Sequence, residues 1–315
     1  MARYSPRELA THLKDGLLSF PVTAFRADGE LDESAYRQHI EWQSAHGVTG
    51  LFAAGGTGEG FSLTPEENAT VTGWAVDTSR PEVPVLGSAS GSTRQAVECA
   101  RGAEKAGAEG ILLLPPYLTE CSQEGLLAHA SAVCASVNIA VIAYNRANAI
   151  YSAETVATLA ERHPNFVGFK DAVGDIEHLA KVTALNGDRL FYLGGLPTAE
   201  TYALPLLQMG MSTYSSAIFN FAPEFALAFY RDVRRQDGAA VQEKLRRFIL
   251  PYLDIRDRGR GYGVSIIKAG LRAVGRDAGP VRPPLNDLPA ADFEDLQRLI
   301  ETSGVAKSLT KGATQ

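Results

Sequence analysis

Short apolar, β-branched runs recur along the chain with room for one helix between each pair, which predicts repeated βα units and a parallel sheet. Eight runs stand out, at residues 17–23, 50–54, 83–88, 110–115, 139–145, 166–171, 190–194 and 211–216. Each ends in small, polar or glycine residues suited to loops that carry chemistry. Eight consecutive units close on themselves more naturally than they form an open sheet, so the expected fold is α/β, a (β/α)8 TIM barrel. The stretches between the runs carry helix-start signals. Thr64-Pro65-Glu66-Glu67 is a capping box with proline at the first helical position, and Ser92-Thr93-Arg94-Gln95 repeats the pattern. Asp32, Ser122 and Ser152 are further N-cap candidates.

From about Gly238 the strand signal ceases, and helical periodicity appears over residues 241–252, 264–274 and 291–302. Gly275 is placed to stop the second of these, and Gly279-Pro280-Val281-Arg282-Pro283-Pro284 reads as a rigid connection. The predicted organisation is a barrel catalytic domain at 1–237 and a helical C-terminal extension at 238–315, with a frayed tail from 305. The length agrees, because 315 residues exceed the roughly 250 of a bare barrel.

Composition narrows the function classes. A net charge of -6 argues against a nucleic-acid partner, which would call for a basic face. No stretch reaches the length of uninterrupted apolar sequence that a membrane span needs, and residues 1–6 lack a signal-peptide pattern, so a cytoplasmic protein with no membrane partner is expected. Cys99, Cys121 and Cys134 are odd in number and lack metal-knuckle spacing. The six histidines form no HExxH-like pattern, so no metal is expected.

The most informative run is Val167-Gly168-Phe169-Lys170-Asp171. Strand alternation puts Lys170 and Gly168 on one face and Val167 and Phe169 on the other. The bulky pair suits the outer helices, which turns Lys170 into the barrel. Burial there would lower its pKa and leave a neutral amine able to attack a carbonyl. The plainer alternative is a strand-end lysine paired with Asp171 in solvent. Tyr144 ends the preceding run, where a phenol can shuttle protons, or simply pack as an aromatic. Between the second run and its helix lies Gly55-Gly56-Thr57-Gly58-Glu59-Gly60. Its backbone N–H groups and threonine hydroxyl can hold a carboxylate, although a purely structural turn is also open. It fits neither a dinucleotide fingerprint nor a P-loop. Arg146, Ser215 and Ser216, at or just beyond run ends, are candidate donors to a substrate's far carboxylate. Gly194 and Gly195 would let a substrate chain pass near the backbone.

Taken together, G-G-T-G-E, Y-N and G-F-K-D at the ends of the second, fifth and sixth runs resemble the dihydrodipicolinate synthase and N-acetylneuraminate lyase superfamily, over about residues 17–300. The resemblance implies a barrel with a helical C-terminal region, assembled as a homo-oligomer, tetramer or dimer. It also implies Lys170 as Schiff-base lysine, Tyr144 as proton shuttle, and Thr57 with the Gly56, Thr57 and Gly58 backbone as cradle of a keto-acid carboxylate. Three departures separate the chain from the synthase branch. Gly56 stands where that branch has the first threonine of its proton relay, Leu118 follows Tyr117 in place of a second tyrosine, and Ala149 replaces an arginine. The glycine loop, Tyr144-Asn145-Arg146 and the segments at 263–270 and 279–284 are instead similar to a dehydratase branch acting on a keto sugar acid. That branch converts 5-dehydro-4-deoxy-D-glucarate to 2,5-dioxopentanoate, water and carbon dioxide, and needs no cofactor. A sister imine-forming aldolase is the main alternative. A ligand-binding barrel without catalysis and a metal-dependent barrel enzyme are the others.

Overall fold

The computed structural model describes residues 2–116 and 120–305. Eight parallel strands pair in sequential order: β1 (Leu18–Ser19), β2 (Gly50–Phe52), β3 (Val85–Ala89), β4 (Gly110–Leu113), β5 (Ala140–Asn145), β6 (Phe166–Asp171), β7 (Phe191–Gly194) and β8 (Thr213–Tyr214). β8 returns to β1 through a parallel bridge between Ser215 and Leu18, reinforced by the Ser216 N–H donating to the Leu18 carbonyl at 2.9 Å. The expected (β/α)8 barrel is what forms. Several strands are shorter than their apolar runs, above all β1 and β8, which meet at this thin seam.

Each strand is followed by a helix, and local chemistry starts several of them where expected. Thr64 and Ser92 head complete capping boxes for helices Pro65–Thr78 and Thr93–Lys105. Asp32, Ser122 and Ser152 accept from backbone N–H groups as N-caps. Side chains from the outer strand faces and these helices form two apolar clusters, while a third fills the barrel interior with Leu18, Phe20, Phe52, Leu86, Leu112 and Ile142 among its members.

Two features depart from the expected arrangement. A helix at Pro6–Leu13, headed by its own Ser5–Glu8 capping box, packs Leu9 and Leu13 into the interior cluster and plugs the N-terminal end of the barrel. Val167 does not face the outer helices with Phe169. It packs with the interior cluster, whereas Phe169 joins the outer one. The cause is a register shift. Val141 pairs with Phe166 and Ile142 with Gly168, so Val167 is an extra residue that breaks the alternation below Gly168.

The C-terminal segment forms helices at Gly238–Lys244, Leu250–Arg256, Tyr262–Ala273 and Ala290–Ser303. The first two run on through one wide turn at Leu245–Ile249, just before Pro251, which has no N–H to donate to an ordinary helical bond. Gly275 follows the third with a φ of 78°, as a helix-stopping glycine should. The anticipated frayed tail lies, beyond Val305, outside the described residues. Among the described residues no helix is long and apolar enough to cross a membrane, and no group of three His, Cys, Asp or Glu side chains could hold a metal ion.

Candidate active site

Tyr144 and Lys170 are direct neighbours across β5 and β6, so both side chains leave the strands on the same face, into the barrel. Gly168 lies two residues below Lys170. A Cβ there would fall 2.5 Å from the Phe191 ring, so only glycine leaves the interior its packing. Lys170 is 4% exposed, and its Nζ sits 3.8 Å from the centre of the Phe20 ring and 4.2 Å from that of Tyr144. Phe20 is itself stacked on Phe52 at 4.6 Å. Burial holds the amine well below the usual lysine range, and the nearby Arg146 charge pushes the same way. Asp171 is turned to the opposite face and is no partner for the lysine. It accepts from Asn145 Nδ2 at 2.7 Å and from the N–H groups of Val173 and Gly174. The solvent-paired lysine that the sequence left open is therefore excluded.

The Tyr144 hydroxyl donates to the Gly195 carbonyl at 3.3 Å and accepts from Arg146 Nη1 at 3.4 Å. Burial raises its pKa, while the Arg146 charge and hydrogen bond oppose the rise. Gly195 sits against the lysine stem. Ala149, which replaces the arginine of the synthase branch, is buried in a tight turn with Arg146, and Arg146 supplies the guanidinium beside the phenol instead.

The glycine loop leaves β2 and folds back on itself, with Gly60 N–H donating to the Gly55 carbonyl at 2.9 Å and Glu59 N–H to that of Gly56 at 3.2 Å. A Cβ on Gly60 would lie 2.0 Å from the Ala54 carbonyl oxygen, so this turn demands glycine. Above Lys170 opens a cavity of about 500 Å³. Thr57, Gly56, Tyr144, Arg146, Gly195 and Ser215 all line it. Gly58 and Ser216 do not. Gly58 is buried behind the loop, with Thr23 Oγ1 donating to its carbonyl at 2.6 Å. Ser216 points to the other side of the chain, where its hydroxyl donates to the buried Glu200. Tyr117 and Leu118, which bear on the missing relay, lie outside the described residues.

Sequence reasoning missed a second cation at this cavity. Arg256 reaches it from helix Leu250–Arg256, held by Asp257 at 2.7 Å and by Thr198 Oγ1 at 2.7 Å. Tyr252, from the same helix, also lines the cavity, as do Gly263, Val264 and Ile267 of helix Tyr262–Ala273. No local signal marks Arg256 or Tyr252, because only tertiary packing brings the C-terminal helices over the barrel mouth.

The description "Dihydrodipicolinate synthetase family" matches residues 13–303. The chain belongs to that family. Relatives of this family member include a probable 5-dehydro-4-deoxyglucarate dehydratase from Corynebacterium glutamicum, 71% identical over 96% of both chains. One of the same description from Bradyrhizobium diazoefficiens is 54% identical over 99% of this chain and 100% of its own. Among solved structures, a dihydrodipicolinate synthase from Bacillus clausii superposes with a TM-score of 0.86 at 24% identity, covering 93% of this chain and 99% of that one, and so speaks to the fold. A prophage protein of the dihydrodipicolinic acid synthase family from E. coli K12, in complex with pyruvate, superposes with a TM-score of 0.82 at 27% identity over 92% of this chain and 98% of its own.

Proposed function

We propose that this family member is a Schiff-base-forming lyase that converts 5-dehydro-4-deoxy-D-glucarate to 2,5-dioxopentanoate, water and carbon dioxide. The observation that carries the reading is the Lys170 amine, buried between two aromatic rings and depressed in pKa, at the floor of a cavity lined by a glycine loop. The dehydratase relatives support the substrate, and the pyruvate complex of a more distant relative supports a 2-keto acid as the group received.

The neutral amine adds to the keto carbon, and loss of water from the carbinolamine gives an iminium. Tyr144 is the proton carrier for that step, placed by its contacts to Gly195 and Arg146. The iminium acidifies the adjacent methylene. Removal of one of its protons, by Lys170, Tyr144 or water, gives an enamine that expels the β-hydroxyl and leaves a conjugated iminium. The bond to the distal carboxylate then breaks, its electrons running through the new double bond to nitrogen, and carbon dioxide departs. The resulting enol becomes the aldehyde, and water returns the lysine. One electron sink serves both eliminations.

In this scheme Thr57 and the turn at Gly56 receive the carboxylate next to the keto carbon. Arg146, Ser215 and Arg256 are the donors available to the distal one, and Ser216 takes no direct part. The family resemblance supports assembly as a homo-oligomer, tetramer or dimer. Two buried cysteines, Cys99 and Cys134, suit a reducing compartment, and the cytoplasm is proposed.

Borohydride added in the presence of ketodeoxyglucarate should trap one adduct, mapped by peptide mass to Lys170, and turnover should release carbon dioxide and 2,5-dioxopentanoate. Lys170→Ala should lose at least about 10³-fold in kcat. Release of pyruvate would instead mark an aldolase, and an unmodified Lys170 would end the Schiff-base reading.

A further inference from the structure

The glycine loop also carries Glu59, whose side chain does not face the cavity. It has a φ of 55° and a ψ of 33°, a left-handed conformation that a non-glycine residue adopts at a cost unless its surroundings over-determine it. Those surroundings come from the far end of the chain. Lys268 Nζ lies 2.8 Å from Glu59 Oε1, and both side chains are 0% exposed. The same Nζ donates to the Pro280 carbonyl at 2.6 Å. The other carboxylate oxygen accepts the Arg282 N–H at 2.9 Å. Arg282 in turn spreads its guanidinium onto Glu67, the Ser62 carbonyl and the Gly29 carbonyl.

A buried ion pair costs desolvation that two packed apolar side chains would not, so stability alone is a poor reason for one. Geometry is a better one. A carboxylate at residue 59 engages Lys268 and the Arg282 backbone at once, which no apolar side chain there could do. The helix that carries Lys268 also sends Gly263, Val264 and Ile267 to the cavity, so the clamp ties cavity lid and loop into one unit.

We propose that Glu59 and Lys268 are positioning residues, whose buried pair holds the Gly56–Thr57 turn in the shape that receives the substrate's keto-acid carboxylate. The proposal rests on the reading of that turn as a carboxylate cradle.

The test compares two probes of Lys170 by borohydride trapping in the full chain: pyruvate, which carries the carboxylate, and acetaldehyde, which lacks it. Lys268→Met, Glu59→Gln and the double E59Q/K268M variant are compared with wild type, with thermal unfolding measured alongside. The double variant leaves no unpaired buried charge, so it keeps the test alive if K268M alone fails to fold. In the folded variants pyruvate trapping at limiting concentration should fall about tenfold or more, and KM for ketodeoxyglucarate should rise with it, as expected when a binding turn is displaced by a fraction of an ångström. Acetaldehyde trapping should match wild type, because the amine itself is untouched. An unchanged pyruvate-to-acetaldehyde ratio, or an equal fall in both, overturns the proposal. A wild-type protein with no preference for pyruvate overturns the cradle reading, and this inference with it.

Discussion

At residue 195 a Cβ would fall 2.2 Å from Lys170 Cε and 2.7 Å from Cγ, so the lysine stem occupies the space a side chain would need. Gly195 also donates its N–H to the Asp171 carbonyl at 2.7 Å, which fixes β7 against β6 at the height of the amine. Its backbone is not in the left-handed region, so alanine is conformationally admissible and the conflict is with Lys170 alone. Gly195→Ala should therefore displace the lysine without unfolding the barrel. The expected outcome is a thermal midpoint within a few degrees of wild type and a borohydride-trapping rate at Lys170 lowered about 10²-fold, the scale of an ångström-level misplacement of a reacting group. A variant trapped as fast as wild type would show that the lysine reaches its carbonyl from another rotamer. The same crowding has an electrostatic side. Phe20 and Tyr144 flank Nζ with rings rather than carboxylates, so burial dominates and holds the amine well below the usual lysine range.

Between elements, the buried Glu200 joins the start of helix Glu200–Gln208 to the exit of β8 by accepting from Ser216. Burial raises its carboxyl to about 7, with the Ser216 and backbone hydrogen bonds opposing the rise. A folded-state pKa above the unfolded value of 4.5 means the folded protein binds the proton more tightly. This group's stabilising contribution is thus complete below about pH 4.5 and is lost as pH rises through about 7. Glu200→Gln keeps the shape and removes the titration. Unfolding curves at several pH values should show wild type falling behind the variant between pH 5 and 8, by on the order of 3 kcal/mol at the alkaline end. Parallel curves would mean that Glu200 is not the group that titrates. The serine beside it also marks what local pattern can and cannot convey. Period-two alternation sends Ser215 to the cavity and Ser216 away from it, toward Glu200. Ser5-Pro6-Arg7-Glu8 carries the same capping signature as Thr64-Pro65-Glu66-Glu67, and it does start a helix. Lys170, Tyr144 and the glycine loop were legible because alternation and turn chemistry are local properties. The displacement of Val167 was not, since a bulge belongs to the pairing with β5. Nor was the Glu59–Lys268 pair, whose partners meet only after the whole barrel has closed.

For the molecule as a whole, we propose that the barrel at 1–237 and the helical extension at 238–315 follow one another in the chain but fold as one unit. Phe248, Ile249, Ile266, Ile267 and Leu271 of the extension share one apolar cluster with Tyr214, Phe221 and Phe229 of the barrel portion. Phe221 alone meets Phe248 edge-on at 6.5 Å, Tyr252 at 6.1 Å, and the helix backbone at Gly270, where a Cβ would fall 2.7 Å from its ring. At roughly 1.5–3 kcal/mol per buried side chain, losing those five residues would remove on the order of 10 kcal/mol. That is comparable with the whole net stability of an ordinary domain, about 5–15 kcal/mol. It would also leave Glu59 buried without Lys268. A chain ending at residue 237 should accordingly show no cooperative thermal transition, should bind hydrophobic dyes, and should give no Lys170 adduct with pyruvate and borohydride. A sharp transition near the wild-type midpoint in that truncated chain would make the extension an independent addition, and would leave the cavity's lid, with Arg256 and Tyr252, dispensable for holding the barrel in its folded shape.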